Sequence, residues 1–575
     1  MDFQFPRLGP QRLWRERRPA PNRVPGKEPD VQNLKKKALF GGSNWLVFLS
    51  CAIFCVVLSY HLRVFDNGFS NSDEPSHFVN SYFIAEYLSR AAFSHPMGFA
   101  RDFYIAYPKL SIGHWPPLYY GLVGGLFLVL PALPETAVWI NILVTALAAC
   151  LTALLLRPHA SPGWCLLTAL LFLCLPTTVT GLNFFMLDQP LTVMVLLAAL
   201  AWQRFARQPG YGAALLYGGI AAAAILIKGN GWLLGLFPLL HLGFTGRWRL
   251  LADPRSYAGA FFCLLLVVPW YALTAGVSAD GFNYAPGLDY ALLALGENLA
   301  TLYENLGPIG LALGLLTLLR CWPGETRQDP RAGLVPTALA MVVAVLLLQS
   351  LVPVDITARY MMPAMPFALL LAVLGLLELR NLAALRPRVV APGAVQAVAA
   401  LLILAPGLWH IATARPQSDL RMADAAAMVV DTQQPQVVII DGSPAGEGAF
   451  IAEALVRSRG MNLHVVRSSK LFSSSNFMGS DYQVLLRTPV EIAGVLEALG
   501  VGLIVLERRE GGNIFAHSDL LEEYLLTPGS GYTKMATLAH RWRPGSTHVY
   551  ASERQRQANL QEVRRINLPD KGDFL

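Results

Sequence analysis

The sequence has little charge, no cysteine outside its hydrophobic regions and no glycosylation sequon. Only 14% of the 575 residues are charged and 54% are apolar, a composition that excludes an ordinary soluble domain. All seven cysteines fall in or beside hydrophobic segments, so neither a disulfide framework nor a paired-cysteine metal site is available. No Asn-x-Ser/Thr triplet occurs. The last two absences favour a bacterial inner membrane over the secretory pathway.

The sequence contains instead a series of long hydrophobic segments. Many approach the ~20 residues that cross a ~30 Å hydrocarbon core, and the chain is predicted to be a polytopic α-helical membrane protein. We predict about eleven spans, near residues 44–62, 134–156, 163–181, 190–204, 211–227, 231–246, 256–276, 305–320, 334–353, 360–379 and 389–411.

The net charge of +7 is concentrated before the first span, where ten basic residues lie between Arg7 and Lys37. This placement follows the positive-inside rule, so residues 1–43 are predicted to be a cytoplasmic tail in contact with anionic membrane lipid. No RNA-binding or zinc-finger signature accompanies it, and we expect no nucleic-acid partner.

Arginines between the later spans mark the cytoplasmic loops and fix the rest of the topology. The transmembrane part, residues 44–412, then has a large first outer loop at 63–115. The apolar segment 116–131 is flanked by outer loops on both sides, which predicts a re-entrant or interfacial helix. Residues 413–575 are predicted to lie outside the cytoplasm.

The C-terminal region has the composition of a soluble domain. Short β-branched runs alternate with helical patterns, which predicts a small α/β domain, with parallel strands as one possibility. Its loop at 441–448, Asp-Gly-Ser-Pro-Ala-Gly-Glu-Gly, follows a predicted strand and precedes a helix. Such a loop can cradle a phosphate, but the spacing is not GxGxxG and an ordinary strand-to-helix turn fits it better.

An acidic pair in the first outer loop is the leading candidate for chemistry. Asp73 and Glu74 precede an amphipathic helical pattern from Val79 to Arg90. One carboxylate could take a proton from an acceptor while the other positions it; alternatively, Ser72 or Asp73 caps the helix. His77, one turn later, could join a metal site with the acids or hydrogen-bond to the cap.

Other polar residues are predicted on the same outer face. Asp188 begins a span, and an ionisable residue at membrane depth is a functional candidate by default, with helix capping as the alternative. Lys228 and Arg359 lie at the outer ends of spans, where they could bind a lipid-linked phosphate or merely snorkel.

Five short motifs follow one another along the chain. They are Asp73-Glu74 followed by His77-Phe78, Pro116-Pro117-Leu118-Tyr119-Tyr120, Leu187-Asp188, Lys228-Gly229, and Arg359-Tyr360 followed by Pro363. In this order they resemble the motifs of the dolichyl-phosphate-mannose protein mannosyltransferase and lipid A aminoarabinose transferase group, which are GT-C membrane glycosyltransferases. The resemblance covers roughly residues 44–380.

The resemblance implies an inverting transfer from a polyprenyl-phosphate sugar to an extracytoplasmic acceptor, which could be a protein, a lipid or a glycan. It implies Asp73 as the base, Glu74 as its partner and Asp188 as a second acid. Contacts with substrate are then expected from His77, His114, Tyr119, Lys228, Arg359 and Tyr360. One departure is Trp115, which stands where the aminoarabinose branch has a lysine, so that His114, Lys228, Arg359 or Lys109 must supply the missing phosphate contact.

Two questions stay open at the level of sequence. A lipid-linked-sugar flippase or a non-catalytic scaffold has similar hydropathy, although no internal repeat of the kind common in transporters is present. No cofactor is firmly implied; a divalent metal could bind only if folding brings Asp73, Glu74, His77 and Asp188 together.

Overall fold

The computed structural model describes residues 42–279, 281–320, 331–384, 392–429, 436–458, 462–476, 479 and 481–568. The predicted basic tail before residue 42 lies outside this part, as do the arginines at 327, 386 and 388, which were predicted to mark cytoplasmic loops. The helices of the first 413 residues are α1 Gly42–His61, α2 Glu74–Ser89, α3 Pro96–Ala106, α4 Leu118–Phe127, α5 Pro134–Leu156, α6 Pro162–Cys174, α7 Pro176–Leu182, α8 Asp188–Arg207, α9 Tyr211–Ile227, α10 Leu233–Thr245, α11 Pro254–Ala279, α12 Leu288–Arg320, α13 Arg331–Leu351, α14 Met365–Ala384 and α15 Pro392–Thr413. Short 3-10 turns include Gly229–Trp232 and Ala358–Ala364.

Each predicted span corresponds to a helix, and the polytopic helical fold is confirmed. Within the described residues, seven helices are long and apolar enough to cross a membrane, and the bent pair α6 and α7 makes an eighth. The other three are α8, which has charged residues at both ends, and α9 and α10, which have 17 and 13 residues. The total of eleven spans therefore stays a prediction.

Two of the helical segments are bent, one between α6 and α7 and the other within α12. α6 and α7 meet at 67°, and the Asn305 side chain bonds to the backbone N–H and hydroxyl of Thr177 just after this bend. α12 begins at Leu288, within a stretch expected to be a loop up to residue 304, and it kinks at Gly307, whose φ is 62°. That left-handed φ suits glycine. The kink lets an extra helical arm precede the predicted span.

α4 has ten residues. At 1.5 Å per residue it reaches about 15 Å, roughly half of a hydrocarbon core. It packs closely on α2 at Gly124, where a Cβ atom would lie 2.7 Å from the carbonyl oxygen of Ser81. The apolar segment 116–131 therefore contains a helix too short to cross the membrane.

The C-terminal region contains the predicted α/β fold. Its elements are α16 Met422–Val429, β1 Gln436–Asp441, α17 Pro444–Arg457, β2 Leu463–Arg467, α18 Ser468–Leu471, β3 Ser473–Ser474, β4 Gln483–Val484, α19 Pro489–Leu499, β5 Val501–Arg509, α20 Ala516–Leu526, β6 Tyr532–Ala539, β7 Gly545–Ser552 and α21 Leu560–Asn567. The main sheet has the order β2-β1-β5-β7-β6; β2, β1 and β5 are parallel, and β7 and β6 continue it antiparallel. The β-branched runs at 437–440, 463–466, 503–506 and 547–550 lie in β1, β2, β5 and β7, whereas no such run predicted β6.

The two faces of this sheet bury different partners, because alternate side chains of a strand point to opposite faces. Val437 and Ile439 belong to a core with α19, α20 and α21. Val438 and Ile440 belong to another core that includes α17, the first outer loop and residues beside α8 and α9. The sheet and the first outer loop thus share one continuous apolar core.

Candidate functional site

Asp73 lies at the start of α2, where its side chain forms an ion pair instead of a helix cap. The expected capping bond is absent, and Oδ2 accepts a hydrogen bond from Arg359 Nη2 at 2.7 Å. Its other oxygen, Oδ1, lies 3.4 Å from the hydroxyl of Ser72. Burial raises the pKa of Asp73, but the charge of Arg359 and its hydrogen bond outweigh burial and leave that pKa below the usual value. The group is a carboxylate at neutral pH.

Glu74 ties two segments together. Its Oε2 accepts the backbone N–H groups of Ser70 and Asn71, both at 3.1 Å, and its Oε1 accepts that of Phe185 at 2.8 Å. Burial raises the pKa of Glu74 to about 7, although these three bonds favour the ionised form. Glu74 therefore fixes the first outer loop against the turn that leads into α8.

Asp188 and Lys228 form a second, buried ion pair. Lys228 Nζ donates to Asp188 Oδ1 at 2.5 Å, and both side chains are at least nine-tenths buried. The same ammonium lies 4.2 Å from the ring centroid of Tyr360, and the guanidinium of Arg359 lies 5.3 Å from that ring. The ring of Tyr360 thus lies between two cations. Contacts run without a gap through the five side chains Asp73, Arg359, Tyr360, Lys228 and Asp188, which therefore make one contiguous site.

Several aromatic and imidazole rings pack together beside α2, next to the charged residues of the site. His77 Nδ1 is 2.8 Å from the hydroxyl of Tyr120, and its ring packs edge-on against Trp115 with centroids 4.8 Å apart. Burial lowers the pKa of His77 to about 3, so the imidazole is neutral. His114 lies one ring further away, 6.4 Å from Trp115, and Tyr119 packs on Phe185. His114 and Tyr119 were expected to contact substrate, but neither is a member of the ion pairs of Asp73 and Asp188.

Lys109 is a third cation near Asp73. Its side chain lies against Gly448 of α17, and among the described residues it makes no hydrogen bond or ion pair. Burial, together with the charges of Arg467 and Lys470, lowers the pKa of Lys109 to about 7, although the charges of Asp73 and Glu447 oppose this. An enclosed cation with no fixed partner is available to bind an anion.

The surroundings of α2 differ from the expected amphipathic surface helix. All of its residues from Glu74 to Ser81 are buried, because α4 packs on one side and α17 on the other. The first turns of α2, which carry the acidic pair, are therefore enclosed between α4 and α17. A helix that is buried on both sides has no solvent-facing side there that would require polar residues.

The four residues considered for a metal site each have a different partner. Asp73 pairs with Arg359, Asp188 with Lys228, Glu74 with backbone N–H groups and His77 with Tyr120. Among the residues the structure describes, no three His, Cys, Asp or Glu side chains are grouped so that they could hold a metal ion.

Tyr120 was not among the expected contacts, although it lies in the quoted Pro-Pro-Leu-Tyr-Tyr motif. The sequence contains no signal that separates it from Tyr119; only the direction of α4 puts its hydroxyl on His77. Neighbouring helical residues point about 100° apart, so only one of the pair can face His77.

The helical membrane part, the acidic loop and the outer α/β layer together define the GT-C class of membrane glycosyltransferase folds. Two crystal structures of ArnT from Cupriavidus metallidurans share this fold. The structure bound to undecaprenyl phosphate is 15% identical, with a TM-score of 0.53 over 89% of this chain and 98% of that chain. The apo structure is 15% identical, with a TM-score of 0.52 over 88% of this chain and 98% of that chain.

Within this class, residues 114–272 match the model of the dolichyl-phosphate-mannose-protein mannosyltransferase family. The resemblance to the protein mannosyltransferase and aminoarabinose transferase group is thereby confirmed. The archaeal oligosaccharyltransferase AglB from Archaeoglobus fulgidus, in complex with an inhibitory peptide and a dolichol-phosphate, is 13% identical over 80% of this chain and 69% of that chain, with a TM-score of 0.46. A search of curated protein sequences gave no match.

Proposed function

We propose that this protein transfers a sugar from a polyprenyl-phosphate donor to an acceptor outside the cytoplasm, with Asp73 as the general base. The fold and the family match support a glycosyltransferase of this kind. The observation that carries the assignment of the base is the position of the Asp73 carboxylate, which has one oxygen on Arg359 and the other beside Ser72. This carboxylate belongs to the first outer loop and contacts Arg359, which lies against Tyr360 beside Lys228.

The chemistry follows from that position. The acceptor nucleophile attacks the anomeric carbon and transfers its proton to Asp73 as the new bond forms. The bond between the anomeric carbon and the phosphate oxygen breaks, and its electron pair leaves with the polyprenyl phosphate. Attack from the side opposite the phosphate inverts the anomeric configuration. General-base assistance of this type contributes about 10²–10⁴-fold to rate.

The cations give the leaving phosphate its binding site. Arg359 and Lys228 hold carboxylates in the ligand-free protein, and a bound phosphate competes for both. When Arg359 turns to the phosphate, Asp73 loses the charge that depresses its pKa and becomes a better base. Lys109 has no partner to give up, so we assign to it the phosphate contact that Trp115 does not provide.

The two other acids have positioning roles in this proposal. Asp188 holds Lys228 in place, and Glu74 holds the loop that presents Asp73. The sugar can be a hexose or a pentose. The acceptor can be a protein, a lipid or a glycan, and we place the enzyme in a bacterial inner membrane with its C-terminal region on the outer side.

The test is reconstitution of the purified protein with radiolabelled polyprenyl-phosphate sugars and an envelope extract. Asp73→Asn keeps the size of the side chain and removes the base, so we expect transfer to fall by about 100-fold or more. Glu86→Gln, at a partly exposed position of the same helix α2 where the side chain pairs with Arg90, is the matched control and should transfer as the wild type does. Equal transfer by Asp73→Asn and the wild type excludes Asp73 as base; lipid movement across the bilayer without transfer by either protein indicates a flippase.

A further inference from the structure

A cavity of about 310 Å³ lies between the first outer loop and the C-terminal sheet. Its lining includes no acidic side chain, but two arginines, Arg509 and Arg543, and the hydroxyls of Ser70, Ser72, Ser418 and Ser443. A volume near 300 Å³ suits a small ligand or one substituent of a larger one.

The cavity adjoins the proposed base. Ser72 lines it, and the Ser72 hydroxyl is 3.4 Å from Asp73 Oδ1. Oδ2 of the same carboxylate is bonded to Arg359, on the side that contains Lys228 and Tyr360. One oxygen of Asp73 therefore faces the cations assigned to the donor, and the other lies beside Ser72, a residue of the cavity lining.

Several polar atoms at the cavity have no hydrogen-bond partner within the described residues. They are the hydroxyls of Ser70 and Ser418 and Nε of Arg509. Arg509 has only a loose ion pair with Glu507, at 3.5 Å, and Arg543 has no ion pair or hydrogen bond among the described residues. Buried polar atoms normally find partners, so the two hydroxyls and Nε of Arg509 are available to a ligand, while the exposed side chain of Arg543 adds a second positive charge to the lining.

The position in the sheet supports a binding site independently. β1 has β2 on one side and β5 on the other, so the chain reverses direction across the sheet at β1. Ligands of open α/β sheets bind outside the carboxyl ends of the strands at such a point. Ser443 and Ala445 follow β1 and begin α17, and Arg509 ends β5. The N–H and the hydroxyl of Ser443 already donate to Glu507, at 2.9 and 2.6 Å, so the binding of an added anion depends on the two arginines.

We propose that this cavity is the acceptor site, and that it selects an acceptor with an anionic group, a phosphate or a carboxylate, next to the nucleophile. The inference rests on the proposed function for its role as acceptor site, but the binding of an anion does not. Arg509 and Arg543 hold the anionic group through charge-assisted hydrogen bonds, which brings the nucleophile to Asp73 Oδ1. Specificity for the acceptor then lies in the C-terminal region.

Anion binding is tested directly with the full-length protein in detergent. Line broadening of inorganic phosphate in ³¹P spectra and of ¹³C-acetate in ¹³C spectra is compared for the wild type, Arg509→Gln/Arg543→Gln and Arg508→Gln/Arg541→Gln. The second double variant removes two neighbouring arginines that do not line the cavity, since Arg508 pairs with Glu522 and Arg541 with Asp419. The donor-site cations Arg359, Lys228 and Lys109 can bind the same anions, but they are unchanged in all three proteins. We therefore expect the first variant to lose a part of the broadening by one or both anions that the second variant keeps. Equal broadening in all three proteins, or equal loss in both variants, overturns the proposal; the more strongly affected anion identifies the chemistry.

The role in transfer is tested with a labelled polyprenyl-phosphate sugar and an envelope extract, after which products are separated on an anion-exchange column. We expect labelled product in the retained fraction, and a KM for acceptor raised about 10-fold or more by Arg509→Gln/Arg543→Gln, with slow hydrolysis of the donor by water unchanged. Product in the neutral flow-through, or an unchanged KM, overturns the acceptor assignment. If the wild type neither transfers nor hydrolyses the donor, the proposed function fails while the spectra still decide whether the cavity binds anions.

Discussion

Lys109 and Glu74 both have a pKa of about 7, but only Lys109 is assigned to the donor phosphate. Burial lowers the pKa of Lys109 from its usual value, so the cation present below pH 7 is lost as the pH rises through that value. A phosphate contact made by Lys109 must weaken in the same direction. The pH dependence of the reaction therefore reports on this side chain.

We expect kcat/KM for the donor to fall above about pH 7 in the wild type, because kcat/KM follows ionisations of the free enzyme. Lys109→Arg keeps a cation at all these pH values and should remove the fall, whereas Lys109→Met should lower kcat/KM at pH 6. The measurement is initial rate against donor concentration from pH 5.5 to 8.5. An identical high-pH fall in Lys109→Arg and the wild type contradicts the assignment.

Residue types were easier to predict than residue partners. The sequence placed Asp73, Asp188, Lys228 and Arg359 on one face of the membrane, and these four residues do meet. Only the family resemblance distinguished the two acids, with Asp73 as the base and Glu74 as its partner. The residues alone did not, since the difference between them is that Glu74 accepts hydrogen bonds from three backbone N–H groups and Asp73 accepts one from an arginine. Partners that lie 286 positions apart in sequence leave no local pattern.

At the scale of helices, the contact between α17 and α2 is the least predictable feature of the site. Gly448 of α17 faces the loop, and a Cβ atom there would lie 2.8 Å from Lys109 Cε and 3.0 Å from Pro75 Cγ. The sequence showed a glycine-rich strand-to-helix turn and indicated a phosphate loop as the weaker alternative. In the structure this glycine permits close packing of two helices instead.

Gly448→Val is expected to separate α17 from α2 and to displace Lys109, since overpacking a close contact costs about 1–3 kcal/mol. We expect transfer to fall about 10-fold while the protein still purifies as a folded species. Gly494→Val in α19 is the matched control, because no atom lies within 4 Å of a Cβ there. Activity and thermal unfolding of both variants are measured together; equal activity of the two argues against a role for this contact in the site.

Helix boundaries were well predicted where hydrophobic segments end at charges, and less well where buried polar residues form part of a helix. The first arm of α12 contains Asp289, Glu297 and Glu304, and its low hydropathy indicated a loop. Asn298 within this arm donates to Ser350 of α13, a bond that only tertiary packing can supply.

At the scale of the whole molecule, the shared apolar core puts the first outer loop and the C-terminal sheet on the same side of the membrane. The region from residue 414 onwards is therefore not a separately packed domain, because it shares a hydrophobic core with the first outer loop. Trp542 supports the same view, since the hairpin between β6 and β7 places its ring 5.6 Å from the guanidinium of Arg63, just beyond α1.

This arrangement predicts the outcome of cysteine labelling. The described cysteines are buried, so new cysteines at exposed positions can be read against a low background. Phe93→Cys and Val490→Cys, at sites 60% and 80% exposed, should both react with a membrane-impermeant maleimide added to intact spheroplasts. Trp248→Cys, 53% exposed in a predicted cytoplasmic loop, should react only after lysis. Labelling of Phe93→Cys and Val490→Cys from opposite sides would refute the shared location.

The packing of α17 on α2 joins parts of the chain that leave the ribosome far apart in time. The first outer loop is translocated before most spans have been made, whereas α17 is synthesised after all of them. Pro75 and Lys109 therefore acquire their last neighbour only when biosynthesis is almost complete. We expect a nascent chain halted in the membrane to be inert, so that the cell loses none of its activated sugar carrier to unfinished copies of the enzyme.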